Sequence, residues 1–240
     1  MVDLKEEQKY RRLMRLAQEL HIPIPEAFIE LEVFDKDGKL LQRHKQRSHS
    51  WTRNTYNVLF SYLTAKDLDD VTFEAGKLSI KNTAGVVKSG GGLGIIDSGQ
   101  TGDNTPSIIG YLSGGGNDNF GILVGSGTNA ESFEDYALQT PIAEGAAGGE
   151  LNHVQADAHV ITWTGGTLTL KDELLRYYNN NSGGDVNVNE VALVFNGVEP
   201  GLMALNKYCL QSRDKLASTV TVPDTGQLKV TYTIQLVYPA

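Results

Sequence analysis

The sequence predicts a mainly β protein, either an antiparallel β-sandwich or a barrel-like domain, with an N-terminal amphipathic helix and a second short helix. Three observations support this fold class. Apolar and polar residues alternate in several short segments of the chain. Glycine, serine, threonine and asparagine separate these segments, and glycine is most frequent between residues 85 and 149. No helical segments alternate with the short apolar runs, which argues against an α/β fold.

The N-terminal residues 1–22 are predicted to form a helical arm. Their apolar side chains lie close to one helical stripe, while lysine and arginine occupy much of the remainder. Pro23 and Pro25 then remove backbone donors and end the helix. A neighbouring subunit is the expected receiver of the stripe, with the protein's own sheet as the alternative. The stripe consists of Leu4, Tyr10, Leu13, Met14, Leu16 and Leu20.

The remaining residues, 23–240, are predicted to form a mainly β structural domain that begins with a hairpin and a helix. In the hairpin, residues 27–47, Ala27, Ile29, Leu31 and Val33 share one face. Asp37-Gly38 favours the tight turn of this hairpin. Asp35, Asp37 and Gly38 also resemble the start of a calcium loop, but the later acidic ligands are missing, so turn chemistry is the better explanation.

A second helix is predicted over residues 50–64. Ser50 is a suitable N-cap for it. The apolar residues that follow recur at helical spacing, which indicates a helix. They are Trp51, Val58, Leu59, Tyr62 and Leu63, together with Thr55.

Three later segments have the period-two pattern of half-buried strands. The clearest is residues 228–238, in which every second residue is apolar. Val191, Leu193 and Phe195 repeat the pattern. A third segment places Val154, Ala156, Ala158 and Val160 on one face before the phase changes at Ile161 and Trp163, which a β-bulge would permit.

Composition and charge exclude several classes of function. The formal net charge of -8 opposes general nucleic-acid binding, which requires a cationic face. The charge is divided unevenly, because residues 1–53 carry a small excess of Lys and Arg and could dock onto an acidic neighbour. Cys209 is the single cysteine, so no intramolecular disulfide is expected, and a structural role is favoured over a catalytic thiol. The charged N-terminus and the lack of a long apolar stretch predict a protein that is neither exported nor inserted in a membrane.

A glycine-rich loop after residues 122–124 resembles a nucleotide site. Gly125, Gly127 and Ala130 fit the G-x-G-x-x-G/A pattern, and Glu144 lies where a ribose-binding acid would follow. The pattern binds pyrophosphate only where it opens a helix inside a βαβ unit. Pro141 leaves room for barely two helical turns. A structural glycine loop with no cofactor is therefore predicted.

His153, Asp157 and His159 share strand parity and could bind a metal from one sheet face. The same alternation sends Val154 and Ala156 inward, which places the histidines on the solvated face, and no metal site is predicted. No nucleophile motif, P-loop or carboxylate pair is evident, so no catalytic residues are assigned.

Three stretches of the sequence resemble virion structural proteins of tailed bacteriophages, the tail, neck or capsid-associated β proteins. They are FGILVGSGTNAESFEDYALQTPI, YYNNNSGGDVNVNEVALVFNG and KYCLQSRDKLASTVTVPDTGQLKVTYTIQLV. Residues 120–238 carry these stretches in the order that such proteins show. Ala192 stands where these proteins often have glycine, and Arg176 lies somewhat earlier than their usual arginine.

The resemblance implies a non-enzymatic virion component that is made in the host cytoplasm and assembles in multiple copies on the capsid, neck or tail. Its partners would be copies of itself and other virion proteins, with no sequence-specific nucleic acid and no membrane. One alternative is a carbohydrate-binding module for host recognition, because Trp163, Tyr177 and Tyr178 lie near polar loops where aromatic rings could stack on sugars. A second alternative is a hydrolase acting on cell wall or polysaccharide, whose carboxylates remain unassigned.

Overall fold

The computed structural model describes residues 4–64, 66, 68, 70–88, 110–199 and 204–239, with two α-helices and eleven β-strands in this part of the chain. Residues 89–109, a glycine-rich part of the predicted strand-and-loop region, lie outside the described residues, as does the side chain of Leu4. The helices are α1 (Leu4–Glu19) and α2 (Arg53–Thr64). The strands are β1 (Pro25–Phe34), β2 (Leu40–Ser48), β3 (Ile80–Lys81), β4 (Val87–Lys88), β5 (Gly121–Gly125), β6 (Asn152–His153), β7 (Val160–Thr164), β8 (Thr169–Asn179), β9 (Val186–Glu199), β10 (Ala204–Val222) and β11 (Gln227–Val237).

Nine of these strands form two antiparallel sheets that share one core. The larger sheet has the order β2-β1-β11-β8-β6, with β7 also paired to β8, and the smaller sheet has the order β10-β9-β5. Leu31 on β1, Val230 on β11 and Leu193 on β9 all belong to the core between the sheets and are at most 2% exposed. The mainly β, sandwich-like fold with two helices is therefore confirmed.

The strands with the clearest period-two pattern form the centre of the larger sheet. On β1, the residues at 27, 29, 31 and 33 are all buried, and β11 pairs with β1 along its whole length. The β1–β2 connection is the predicted tight turn, in which Asp35 Oδ1 accepts the backbone N–H groups of Asp37 and Lys39, each at 2.9 Å. Gly38 has a φ of 80°, which glycine adopts without strain. The carboxylate of Asp35 therefore shapes the turn.

Helix α1 lies on the outer face of the larger sheet. Arg47 on β2 forms ion pairs with Glu7 of α1 and with Glu26 of β1. The Arg47 guanidinium also lies 4.2 Å from the ring centroid of Tyr10 and 4.7 Å from that of Phe28. The docked side of the helix is therefore the part of the predicted stripe that contains Tyr10. Three leucines of the stripe are exposed, with exposed fractions of 43% for Leu13, 44% for Leu16 and 66% for Leu20.

The segment from 153 to 160 departs from the predicted alternation. Ala156 is buried as expected, but His153 is buried as well and Val160 is 52% exposed. His153 on β6 lies opposite Tyr178, and Val160 on β7 lies opposite Glu173. The six residues between them therefore run beside only four residues of β8. One extra residue reverses the side-chain alternation and a second restores it, so His153 and Val160 lie on the opposite faces that an uninterrupted strand would give them. The predicted face is therefore wrong at both positions.

Candidate functional site

The glycine loop, residues 125–140, folds around a carboxylate of the protein itself. Glu190 on β9 is 0% exposed and points into the loop. Its Oε1 accepts the backbone N–H of Gly127 at 3.2 Å and that of Thr140 at 2.8 Å, and its Oε2 accepts the N–H of Gln139 at 3.1 Å. Turns and irregular structure follow β5 where a dinucleotide site would require a helix. The loop therefore binds an internal anion through its backbone donors.

Both glycines of the G-x-G pattern are required by the close approach of Glu190. A Cβ atom at Gly125 would lie 2.5 Å from Glu190 Oε1 and 2.7 Å from the carbonyl oxygen of Thr140. A Cβ atom at Gly127 would lie 2.5 Å from the same carboxylate oxygen and 2.7 Å from Gln139 Cβ. These separations are well below ordinary van der Waals contact, so a side chain would displace the carboxylate from the loop.

Arg213 on β10 neutralises Glu190 and holds the rest of the loop. Its Nε donates to Glu190 Oε2 at 2.6 Å, and its terminal nitrogens donate to Asp135 at 2.9 Å and to the carbonyl oxygens of Ala130 and Asn129 at 3.2 and 3.1 Å. Burial of Arg213 opposes its charge, but the hydrogen bonds to the two carboxylates outweigh this effect and raise its pKa. The arrangement is a buried ion network that fastens a loop to a sheet.

The three stretches quoted from the sequence, within residues 120–142, 177–197 and 207–237, meet at this network. The first supplies the glycine loop, the second supplies Glu190 and the third supplies Arg213. Within the first stretch, Tyr136 lies over the ammonium of Lys81 at 4.2 Å, and Leu138 is buried. The motif residues therefore have structural roles, because their polar groups hold the loop in place.

The structure does not bring His153, Asp157 and His159 together. His153 is only 3% exposed, and its ring lies edge-on to Tyr178 with the centroids 5.0 Å apart. Burial and the nearby charge of Arg176 lower the pKa of His153. Asp157 is exposed, and His159 pairs with Asp172 at 2.7 Å. Within the described ranges these three residues form no cluster of metal-ligating groups. The expectation that both histidines lie on the solvated face is wrong for His153.

Two further residues considered from the sequence have structural environments. Glu144 accepts the backbone N–H of His153 and, at 3.3 Å, the side-chain amide of Asn152, so its oxygens are engaged within the sheet edge. Cys209 lies on β10 opposite Phe195 and is 2% exposed. A buried thiol in a paired strand behaves as a small apolar side chain.

The three aromatic residues proposed for sugar stacking have three different environments. Tyr178 is fully buried, donates its hydroxyl to the carbonyl oxygen of Ile122 at 2.6 Å, and has a pKa raised to about 12 by burial. Tyr178 is therefore excluded as a stacking platform. Trp163 is 51% exposed and lies beside exposed Tyr238, with ring centroids 5.2 Å apart. Tyr177 lines an open groove of about 480 Å³ together with Asn179 and other polar residues.

Helix α2 docks through small polar side chains, including Thr55 of the predicted pattern, whereas Leu59 and Leu63 of that pattern are exposed. Asn54 is 0% exposed, donates its amide to the carbonyl oxygen of Lys81 at 2.9 Å and accepts the N–H of Lys81 at 2.8 Å. Thr55 donates its hydroxyl to the carbonyl oxygen of Gln211 at 2.6 Å. Thr52, just before the helix, donates to the carbonyl oxygen of Leu210 at 2.8 Å. Side-chain hydrogen bonds to β10 and β3 thus hold α2 in place.

The opposite side of α2 presents a row of exposed apolar side chains, here called the α2 apolar face. Its members recur at i, i+3, i+4 and i+7 and therefore share one side of the helix. Their exposed fractions range from 48% to 77%. Phe133 packs edge-on against Tyr56, but all four side chains keep about half or more of their surface exposed, whereas an amphipathic helix normally turns such a face toward a core. The α2 apolar face consists of Tyr56, Leu59, Phe60 and Leu63.

A groove of about 270 Å³ runs beside the α2 apolar face. Tyr56 and Leu59 line one side of it, and Tyr10 and Ile24 line it from the arm and its connector. The α2 apolar face could not be predicted from the sequence, because the helical spacing of apolar residues does not reveal which side of a helix docks. The signal that was available is the group of small polar residues at 52, 54 and 55, which can bond to a neighbouring strand.

No helix among the described residues is long and apolar enough to cross a membrane. No family model, curated protein or solved structure matches the chain significantly.

Proposed function

We propose that the protein is a non-enzymatic structural component of a tailed-phage virion and that it assembles in multiple copies on the capsid, neck or tail. The observation that carries the assembly role is the α2 apolar face. The phage context rests on the three stretches of resemblance. Its partners in this proposal are other copies of the chain and other virion proteins, without nucleic-acid sequence recognition and without a membrane.

The energetics of the α2 apolar face favour a binding partner. Burying a Leu or Phe side chain completely is worth about 1.5–3 kcal/mol. Phe60 and Leu63 forgo most of this gain in the isolated chain, since they are 54% and 77% exposed. The inner side of α2 is already fixed by hydrogen bonds, so the helix does not need to rearrange before a partner binds.

The rigid body behind this surface also suits an assembly protein. The buried pair of Glu190 and Arg213 fixes the glycine loop, and the tip of that loop docks on α2. At the tip, Phe133 accepts the backbone N–H of Arg53 at 2.8 Å, and its ring packs against Tyr56 with the centroids 5.5 Å apart. The two sheets, the loop and α2 are therefore connected into one block that can hold a surface in a fixed orientation.

A pair of polar substitutions tests the assembly role. We expect Phe60→Ser combined with Leu63→Ser to abolish self-association in sedimentation velocity and incorporation into particles, while the melting temperature stays close to that of the unchanged protein. Val71→Ser is the matched control, because Val71 is 79% exposed but lies outside the α2 apolar face. Normal incorporation of the double variant would contradict the proposed role of this surface.

Carbohydrate binding is the second candidate function, favoured by the exposed pair of Trp163 and Tyr238. Adjacent exposed aromatic rings can stack on the apolar faces of sugars. A glycan array read with the unchanged protein and with Trp163→Ala distinguishes the two candidates. Binding that is lost in Trp163→Ala, with the fold retained, would favour host recognition over a purely structural role.

A further inference from the structure

Three potential metal ligands from distant parts of the chain lie close together. His49 follows β2, Glu131 belongs to the glycine loop and Asp214 lies on β10. One ligand atom of each residue lies within 4.8 Å of those of the other two, and His49 Nδ1 is 3.7 Å from Asp214 Oδ1. Two ligands about 2.1 Å from a tetrahedral ion are roughly 3.4 Å apart. A cation between these groups would therefore require only small side-chain movements.

Hydrogen bonds from backbone N–H groups and a hydroxyl group hold both carboxylates in place. Asp214 is 0% exposed, and its Oδ2 accepts the hydroxyl of Ser48 at 2.7 Å while its Oδ1 accepts the backbone N–H of His49 at 2.9 Å. Glu131 Oε1 accepts the backbone N–H of Lys215 at 2.8 Å. Each carboxylate oxygen has more than one lone pair, so these bonds leave acceptor capacity for a cation. Such outer contacts orient metal ligands in known sites.

We propose that His49, Glu131 and Asp214 bind a divalent transition-metal ion such as Zn²⁺. One imidazole nitrogen with two carboxylates suits this class of ion, whereas Mg²⁺ and Ca²⁺ prefer ligand sets made entirely of oxygen. The ion can reach the site from solvent, because the His49 side chain is 42% exposed. Solvent can also supply the remaining ligands.

The bound ion would link three segments that the backbone does not connect directly. It would join the end of β2, the middle of the glycine loop and β10, next to the groove that Ser48 and His49 line beside α2. This link adds to the hold that Glu190 and Arg213 have on the same loop. The expected consequence is a metal-dependent increase in the stability of the block that presents the α2 apolar face.

A proton is the alternative occupant of this cluster. Asp214 raises the pKa of His49, and a protonated imidazole beside two carboxylates would form an ordinary ion pair with no affinity for metal. The two occupants are distinguished by direct titration with metal ions. Co²⁺ is the most informative probe, because its visible absorption bands report imidazole and carboxylate coordination, and Zn²⁺ serves for calorimetry.

The experiment uses tag-free full-length protein after treatment with a chelator. We expect saturable binding of one Co²⁺ or Zn²⁺ and a rise in melting temperature, with little response to Mg²⁺. His49→Ala and Glu131→Gln should each weaken Co²⁺ binding at least about tenfold. Both residues are only partly buried, so both variants are expected to fold. Asp214 is left unchanged because of its complete burial.

The matched control is His159→Ala. His159 also pairs with a carboxylate, at 2.7 Å from Asp172, but belongs to no three-residue cluster within the described ranges. Its replacement should leave Co²⁺ binding unchanged. Absence of binding in the unchanged protein, or equal binding in His49→Ala, would refute the site. Loss in only one of the two ligand variants would refute the three-ligand assignment.

Discussion

Replacing Glu190 with glutamine tests whether the buried carboxylate organises the glycine loop. The substitution keeps the size and shape of the side chain but exchanges one acceptor oxygen for a donor NH₂ group. One Glu190 oxygen serves the N–H groups of Gly127 and Thr140, and the other serves Gln139 and Arg213. Whichever way the glutamine amide is oriented, its NH₂ group would face two donors of the protein and could accept a hydrogen bond from neither.

The loss of stability follows from the burial of this network. Removing one partner of a buried ion pair costs about 3–5 kcal/mol, because the remaining charge is left uncompensated. Arg213 retains Asp135, which moderates the cost, while the unsatisfied N–H groups add about 1–3 kcal/mol each where they remain buried. We expect Glu190→Gln to lower the free energy of unfolding by at least about 3 kcal/mol.

Urea unfolding of the unchanged protein and of two variants measures this loss. Glu134→Gln is the matched control, because Glu134 belongs to the same loop and pairs with Arg53 but is 51% exposed. An exposed pair contributes about 0–1 kcal/mol. Hydrogen exchange should show the loop amides losing protection in Glu190→Gln first. Equal free energies of unfolding for the two variants would refute the conclusion that Glu190 holds the glycine loop in place.

Four further predictions follow from the structure. Gly127→Ala should cost about 1–3 kcal/mol in urea unfolding, whereas Gly148→Ala, whose Cβ would meet no atom within 4 Å, should be neutral. Calorimetry with NAD or FAD should detect no binding, since Glu190 occupies the loop donors. The pKa of His153 is lowered in the folded state, so the unfolded state takes up a proton first as the pH falls. The free energy of unfolding should therefore decrease as the pH drops below about 6.5. His153→Phe should make the free energy of unfolding less dependent on pH in this range. Removal of residues 1–22 should lower the melting temperature by only a few degrees, because Leu13, Leu16 and Leu20 of this segment are exposed and bury little apolar surface. It should abolish the proposed co-assembly with virion partners.

Half-buried strands were predictable because their apolar and polar residues alternate along the sequence, as the two faces of the strand do. β1 buries every second residue over most of its length and β11 does so from Leu228 to Tyr232, so period two identifies both strands and the face of each that meets the core. The 153–160 segment lies along the edge of β8 and contains two extra residues, so its alternation is interrupted and then restored. Alternation therefore failed there, and His153 became buried against Tyr178.

The sequence predicted that the glycine loop is structural, but not that its backbone N–H groups bind the carboxylate of Glu190. Its partners lie far apart in sequence, and the ion pair with Arg213 joins two neighbouring strands. A signal was nevertheless present. Glu190 is the single charged residue in the segment 186–195, where apolar residues predominate, and an isolated charge in a buried strand requires a partner. Spacing alone could not reveal that the loop closes over Glu190 and Arg213.

The positive charge of residues 1–53 divides into two groups with different consequences. On the outer face of the larger sheet, Arg43 and Lys45 of β2 pair with Glu30 of β1, so these cations are balanced within the hairpin. On α1, by contrast, Arg12 and Arg15 are exposed, and the exposed leucines of the predicted stripe lie on the same helix. Residues 54–240 carry the net negative charge of the chain. A cationic, partly apolar helix on one copy is thus complementary to the acidic body of another, and this attraction would weaken as salt shortens the range of the interaction.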